Sequence, residues 1–154
     1  MGVVLYGQNP KSEEGKVLRQ SIWVWSPLIN YFQIEHEQIS SMMHQLQFND
    51  AFEVGPNAAS AIGDLINQDM QNGKIEKYIN EFKEMKDSLP DMDCQHCLGK
   101  GKEREFILYE SEENCFRCDG SGKSRPLVCD YFVELHDFTT FQNFIRESEG
   151  FIIN

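Results

Sequence analysis

Apolar positions along the chain change period several times, and each change marks an element. Val3-Val4-Leu5-Tyr6 is a β-prone run closed by Gly7 and Pro10, which predicts a strand entering a turn. Ile22-Trp23-Val24-Trp25 reads as a second strand or as the last turn before a helix; as a strand, its period of two puts both tryptophans on one face. Ser26-Pro27 predicts a helix start, with serine as N-cap and proline at the first helical position, where no N–H is needed. The helix, continuous or broken, then runs through Leu28, Ile29 and Phe32 to Ile39, Met43 and Leu46.

Residues 48–57 read as a loop built on the turn chemistry of Asn49-Asp50 and Gly55-Pro56-Asn57, with Asn57 capping a helix that Asn72-Gly73 stops. From Lys74 to Leu89 the apolar residues fall at Ile75, Tyr78, Ile79, Phe82, Met85 and Leu89, the one-sided stripe of a helix that Pro90 closes. After Pro126 the run 127–133 is β-like, and Cys129 within it reads as a buried packing residue. Asp137 or Thr139 can cap a last helix with Phe138, Phe141, Phe144 and Ile145 on one side; Gly150 ends it and leaves 151–153 as a terminal strand.

This order of patterns predicts an α+β protein: a small sheet, three to five helices and a β-hairpin excursion whose paired cysteines, Cys94 with Cys97 and Cys115 with Cys118, would make it zinc-stapled. At 154 residues the chain is read as a single domain, 1–154, with the hairpin, 94–125, inserted within it. The first residues show no basic and apolar leader pattern, and no apolar run reaches the roughly 20 residues that cross a bilayer, so the expected setting is the cytoplasm, away from membranes. The formal net charge of −11 argues against general nucleic-acid binding, which draws its affinity from Lys and Arg. The base-rich stretch is 94–125, where acids and bases balance.

That stretch carries the clearest chemistry. Cys94-Gln95-His96-Cys97-Leu98-Gly99-Lys100-Gly101-Lys102 recurs 21 residues later as Cys115-Phe116-Arg117-Cys118-Asp119-Gly120-Ser121-Gly122-Lys123. Two residues between thiolates let one tight turn present both sulfurs to one ion, and the following glycines permit the positive φ values that fold backbone N–H groups toward sulfur. Two such knuckles make a closed four-sulfur site suited to one structural zinc ion, held by Cys94, Cys97, Cys115 and Cys118. Paired cysteines in a reducing compartment point to metal ligation before disulfides. Lys100, Lys102, Arg104, Arg117, Lys123 and Arg125 are expected to offset the roughly −2 charge of a zinc tetrathiolate. His36, His44 and His136 show no spacing that suggests a second metal or a triad and read as ordinary histidines.

The repeat resembles the cysteine-rich region of the DnaJ chaperones, where C-x-x-C-x-G-x-G units pair into zinc sites; with no His-Pro-Asp triplet in the chain, only the knuckle geometry carries over, to the four cysteines named. Tyr6-Gly7 with Pro10, Gly15, Trp25-Ser26-Pro27-Leu28, Asn49-Asp50, the paired knuckles and Gly150-Phe151 together resemble a family of small phage and bacterial proteins. That resemblance implies a phage or mobile-element setting and no reaction.

The sequence therefore reads as a non-enzymatic zinc-binding accessory protein, acting by binding a macromolecular partner, with counter-defence as the phage setting would suggest. The hairpin would present Phe106, Ile107, Leu108 and Tyr109 or the nearby bases, and the protein partner could include a second copy in a homo-oligomer. A second reading is a small-ligand binder that sequesters a nucleotide immune signal, using Tyr6, Trp23, Trp25, Asn49 and Asp50 for stacking and hydrogen bonds. An enzyme finds little support: no P-loop, nucleophile elbow, H-E-x-x-H or deaminase signature occurs, and Asp50, Glu53 and Asp64 are scattered acids in an acidic chain.

Overall fold

The computed structural model describes residues 2–48, 51–106 and 109–154, with the backbone alone for 104–106 and 109–112. Helices and small antiparallel sheets make it an α+β protein, as the changes of period predict. Two compact units divide the chain: Met1–Lys83 with Tyr131–Asn154, and Glu84–Asp130.

In the first unit, β1 (Gly2–Gly7), β2 (Val17–Ser21), β3 (Glu53–Val54) and β8 (Phe151–Ile153) form a sheet in the order β2-β1-β8-β3, every pairing antiparallel. Strand alternation buries Val3, Leu5, Leu18, Val54, Phe151 and Ile153 in the core. The opposite face carries Tyr6 beside its register partners Val17 and Ile152, all three exposed. The two-residue β3 falls within the stretch expected to be loop, too short for alternation to register.

Helix α1 (Ile22–Glu35) starts earlier than expected. Ser21, not Ser26, is the N-cap, its Oγ accepting from the Trp23 N–H at 3.2 Å, so the strand option for 22–25 is wrong and Pro27 lies inside the helix. A proline there removes the N–H that would bond to the carbonyl four residues back, that of Trp23. This carbonyl instead accepts from the Phe132 N–H at 3.1 Å, so the orphaned acceptor is satisfied from outside the helix.

His36 separates α1 from α2 (Glu37–Gln47), confirming the broken option. Helix α3 (Pro56–Gln71) is preceded by Gly55 as N-cap and takes Pro56 at its first position, which leaves Asn57 inside the helix. Helix α4 (Lys74–Ser88) follows the stop at Asn72-Gly73, as its stripe predicts. Helix α5 (Leu135–Ser148) is capped by Glu134; neither expected cap holds, since Thr139 lies inside the helix and Asp137 sits at the third helical position, accepting from the Glu134 N–H at 2.8 Å in a capping box.

The core of this unit is aromatic. Trp25, Tyr31, Phe32, Phe138 and Phe141 are fully buried, with Trp25 edge-on to Phe141 at 5.3 Å and Tyr31 edge-on to Phe138 at 5.2 Å. The expected strand over 127–133 is absent: Leu127–Asp130 form a 3-10 turn in which the Cys129 N–H donates to the Pro126 carbonyl at 2.9 Å. Cys129 is consequently half-buried, not a core residue, its thiol 3.8 Å from the Lys86 carbonyl oxygen.

Candidate metal centre

The second unit is assembled from two copies of one local plan. β4 (Met92–Asp93) leads into the first knuckle, β5 (Lys102–Phe106) leaves it, β6 (Tyr109–Asn114) leads into the second and β7 (Lys123–Ser124) leaves that. The strand entering each knuckle pairs with the strand leaving the other: β4 with β7, and β5 with β6. The two repeats are thereby related by a local two-fold arrangement.

Within each knuckle the residue after the second cysteine and both glycines take positive φ: Leu98 (53°), Gly99 (79°) and Gly101 (76°), then Asp119 (50°), Gly120 (81°) and Gly122 (72°). The last glycine of each repeat is required by contact as well as by angle. A Cβ on Gly101 would stand 2.3 Å from the Gly120 carbonyl oxygen, and one on Gly122 would stand 2.3 Å from that of Gly99. Side chains follow the same symmetry. Lys123 Nζ meets Asp93 Oδ1 at 2.5 Å, and Lys102 Nζ meets Asn114 Oδ1 at 3.3 Å. Asp93 and Asn114 each precede the first cysteine of a repeat, so the repeated unit begins one residue earlier than its cysteines.

These turns bring the four thiols together. Cys94 and Cys115 sulfurs are 3.9 Å apart, Cys97 and Cys118 sulfurs 3.7 Å, and all four sulfurs lie within 4.8 Å of one another. Tetrahedral thiolates at a metal–sulfur distance of about 2.3 Å would stand about 3.8 Å apart, so the spacing fits a single ion at the centre. Cys94, Cys97 and Cys115 are fully buried and Cys118 is partly so. The Gly101 N–H donates to Cys97 Sγ at 3.2 Å, the backbone-to-sulfur contact that the glycine pattern predicts. The backbone N–H of Cys97 holds the Cys94 thiol below its ordinary value, while burial pushes the Cys115 thiol up. A bound cation reverses the second effect, because it favours every ligand as thiolate.

One feature breaks the two-fold relation. Glu103 joins the two knuckle tips: Oε1 meets His96 Nε2 at 2.5 Å, and Oε2 accepts from the Phe116 N–H at 3.1 Å. His96 therefore belongs to a polar clamp outside the four sulfurs. Three of the bases of this stretch have nearby partners of their own. Lys123 pairs with Asp93, Arg117 with Asp130 at 3.4 Å, and Arg125 donates to the Lys86 carbonyl oxygen.

Among the described residues, the other candidates are not gathered into a site. Trp25 is fully buried with Nε1 donating to the Leu46 carbonyl at 2.9 Å, so it cannot offer a stacking face. Trp23 is half-buried and edge-on to Tyr131 at 5.1 Å, and Tyr6 lies on the exposed side of β1. Asn49 and Asp50 lie outside the described residues, as do Ile107 and Leu108; Phe106 and Tyr109 are register partners at the end of β5–β6. Glu53 accepts from Gln8 Nε2 at 2.5 Å, and Asp64 is exposed on α3.

Sequence reasoning missed a buried polar cluster in the first unit. His36, read as an ordinary histidine, is 6% exposed, and its Nε2 lies 2.5 Å from Asp69 Oδ2; the Tyr31 hydroxyl donates to that same oxygen at 2.7 Å. Lys74 Nζ stands 3.8 Å from Asp69 Oδ1. Asp69 is a polar residue on the buried side of α3, and that misplaced polarity in an amphipathic stripe was the one local signal of the cluster. Among the described residues no helix is long and apolar enough to cross a membrane. Comparison with protein-family models, with curated proteins and with solved structures finds no match.

Proposed function

We propose that this is a non-enzymatic zinc-binding protein whose Glu84–Asp130 unit folds around one structural Zn²⁺ and serves to bind a macromolecular partner. The observation that carries the reading is the convergence of four cysteine sulfurs at the separations a tetrahedral thiolate site requires. Zinc suits an all-sulfur tetrahedral donor set, and four protein ligands leave no coordination position for a reacting water. Such an ion contributes folding free energy instead of a reaction: a segment this small gains its fold from the metal. Exposed Phe116 and Leu98 on the knuckles support a binding role, since apolar side chains held at a rigid surface are the usual material of interfaces.

Elemental analysis of purified protein, paired with cobalt substitution, tests the metal reading. One zinc per chain, and a cobalt form with the intense d–d and sulfur-to-metal bands of a tetrahedral tetrathiolate, is the expected result. Metal-free protein with disulfide-linked cysteines, or a cobalt spectrum of an oxygen-rich six-coordinate site, would overturn it.

A further inference from the structure

We propose that a recess beside the metal centre docks an extended acidic peptide that inserts one apolar side chain; this rests on the binding role proposed above. The recess, about 280 Å³, lies wholly within the Glu84–Asp130 unit. Its apolar part is Met92, Phe116 and Leu127, and its polar rim includes His96, Arg117 and Arg125. Phe116 is 73% exposed, yet it is not a loose side chain: Glu103 fixes its N–H and the His96 ring packs edge-on at 4.6 Å. A large apolar ring held outward in this way costs nothing in order when a partner covers it, which is the economy of a pre-organised anchor site.

Charge selects the partner. The lining contains two guanidinium groups and no carboxylate, in a chain of net charge −11, and its histidine is already matched by Glu103. Arg125 spends its hydrogen bond on the Lys86 carbonyl, which leaves its positive charge without a carboxylate among the described residues. Arg117 is shared with Asp130 at 3.4 Å, an exposed pair that a ligand carboxylate can replace at small cost. One or two anionic groups are matched by this rim, whereas a long phosphate backbone would meet the acidic remainder of the chain.

Backbone geometry selects an extended peptide over other anions. Met92 and Ser124, which line the recess, are register partners in a sheet of two strands, so each strand has one edge without a neighbouring strand among the described residues. An added strand would use those edge groups while alternate side chains reach the apolar floor and the arginines. The volume admits one or two side chains, not a folded element.

The test is selection of a random heptapeptide library against the full-length, zinc-loaded protein, followed by anisotropy titration of a labelled recovered peptide. Recovered sequences should combine Asp or Glu with Phe, Leu or Ile, and affinity should fall about tenfold or more in both Arg125→Ala and Phe116→Ser at unchanged zinc content. A ten-nucleotide deoxythymidine strand should not displace the peptide. Recovery of peptides without acidic residues, an affinity unmoved by both substitutions, or displacement by the oligonucleotide would each overturn the inference. Zinc measured on the same samples separates the two readings: a chain lacking metal refutes the metal centre, while a fully loaded chain that selects no acidic peptide refutes the docking site alone.

Discussion

Cys94 and Cys115 are each held from the opposite repeat: the Cys94 N–H donates to the Gly122 carbonyl and the Cys115 N–H to the Gly101 carbonyl, both at 2.9 Å. Neither knuckle is complete by itself. The first thiol of each is aligned by the last glycine of the other, which couples the four sulfurs into one unit before any ion is considered.

The cross-brace makes Gly101 and Gly122 the most sensitive positions that are not ligands. Gly101→Ala introduces a methyl group 2.3 Å from the Gly120 carbonyl oxygen at a φ of 76°. The left-handed conformation alone costs about 1–2 kcal/mol for a side-chain residue. Zinc affinity, measured by competition with a chromogenic chelator, should fall about tenfold or more, whereas Gly55→Ala, with open space around its Cβ, should leave it unchanged.

Cysteine identity separates ligands from a bystander. Cys115→Ser should reduce bound zinc well below one per chain and abolish the tetrathiolate cobalt spectrum, since a hydroxyl is a poor substitute for thiolate at this ion. Cys129→Ser should retain full metal content, because its half-buried thiol lies against the Lys86 carbonyl and is not one of the clustered four. Equal loss in both variants would contradict the ligand assignment.

Asp69 is the shared acceptor for Tyr31 and His36 deep in the first unit. Asp69→Ala strips both of their partner, and buried polar groups left unsatisfied cost about 1–3 kcal/mol each. Urea unfolding should therefore show a loss of about 3 kcal/mol or more, with Tyr31→Phe, which removes a single hydrogen bond, costing less.

Tyr31 also sets an alkaline limit. Burial, and then the hydrogen bond to Asp69, raises its hydroxyl far above the ordinary tyrosine value. In the unfolded chain the same group ionises near about pH 10. Its contribution is fully present below that pH and is lost as the pH rises further, by up to about 1.4 kcal/mol per pH unit for one proton. Stability measured by urea unfolding from pH 9 to 11.5 should decline, and the decline should be shallower in Tyr31→Phe; a slope unaltered by that substitution would contradict the assignment. Tyr78, likewise raised by burial, accounts for part of the remainder.

The cysteine cluster was legible because its information is local: two residues between thiols and two glycines beyond them define each knuckle within nine positions. The long amphipathic stripe of α4 was legible for the same reason. What escaped was set by distant partners. The carbonyl of Trp23 is satisfied by Phe132, a contact that accommodates Pro27 inside α1 and not at its start. Strands β3, β4 and β7 have two residues each, below any period. His36 finds Asp69 from another helix, and the apolar run after Pro126 looks like a strand but coils into a turn. At Pro27 and His36 a non-local contact outweighs the local preference.

The pairing of entering with leaving strands has an evolutionary corollary. The four clustered cysteines, and the glycines that brace them, lie at or before Gly101 and from Cys115 onward, so the stretch between supplies none of the four sulfurs. It is a cassette hung on a clasp of four cysteines. Beyond Glu103, which clamps His96 and the Phe116 N–H, its length and composition can drift while the four sulfurs keep their places, and diversification of what this protein recognises would be expected to concentrate there.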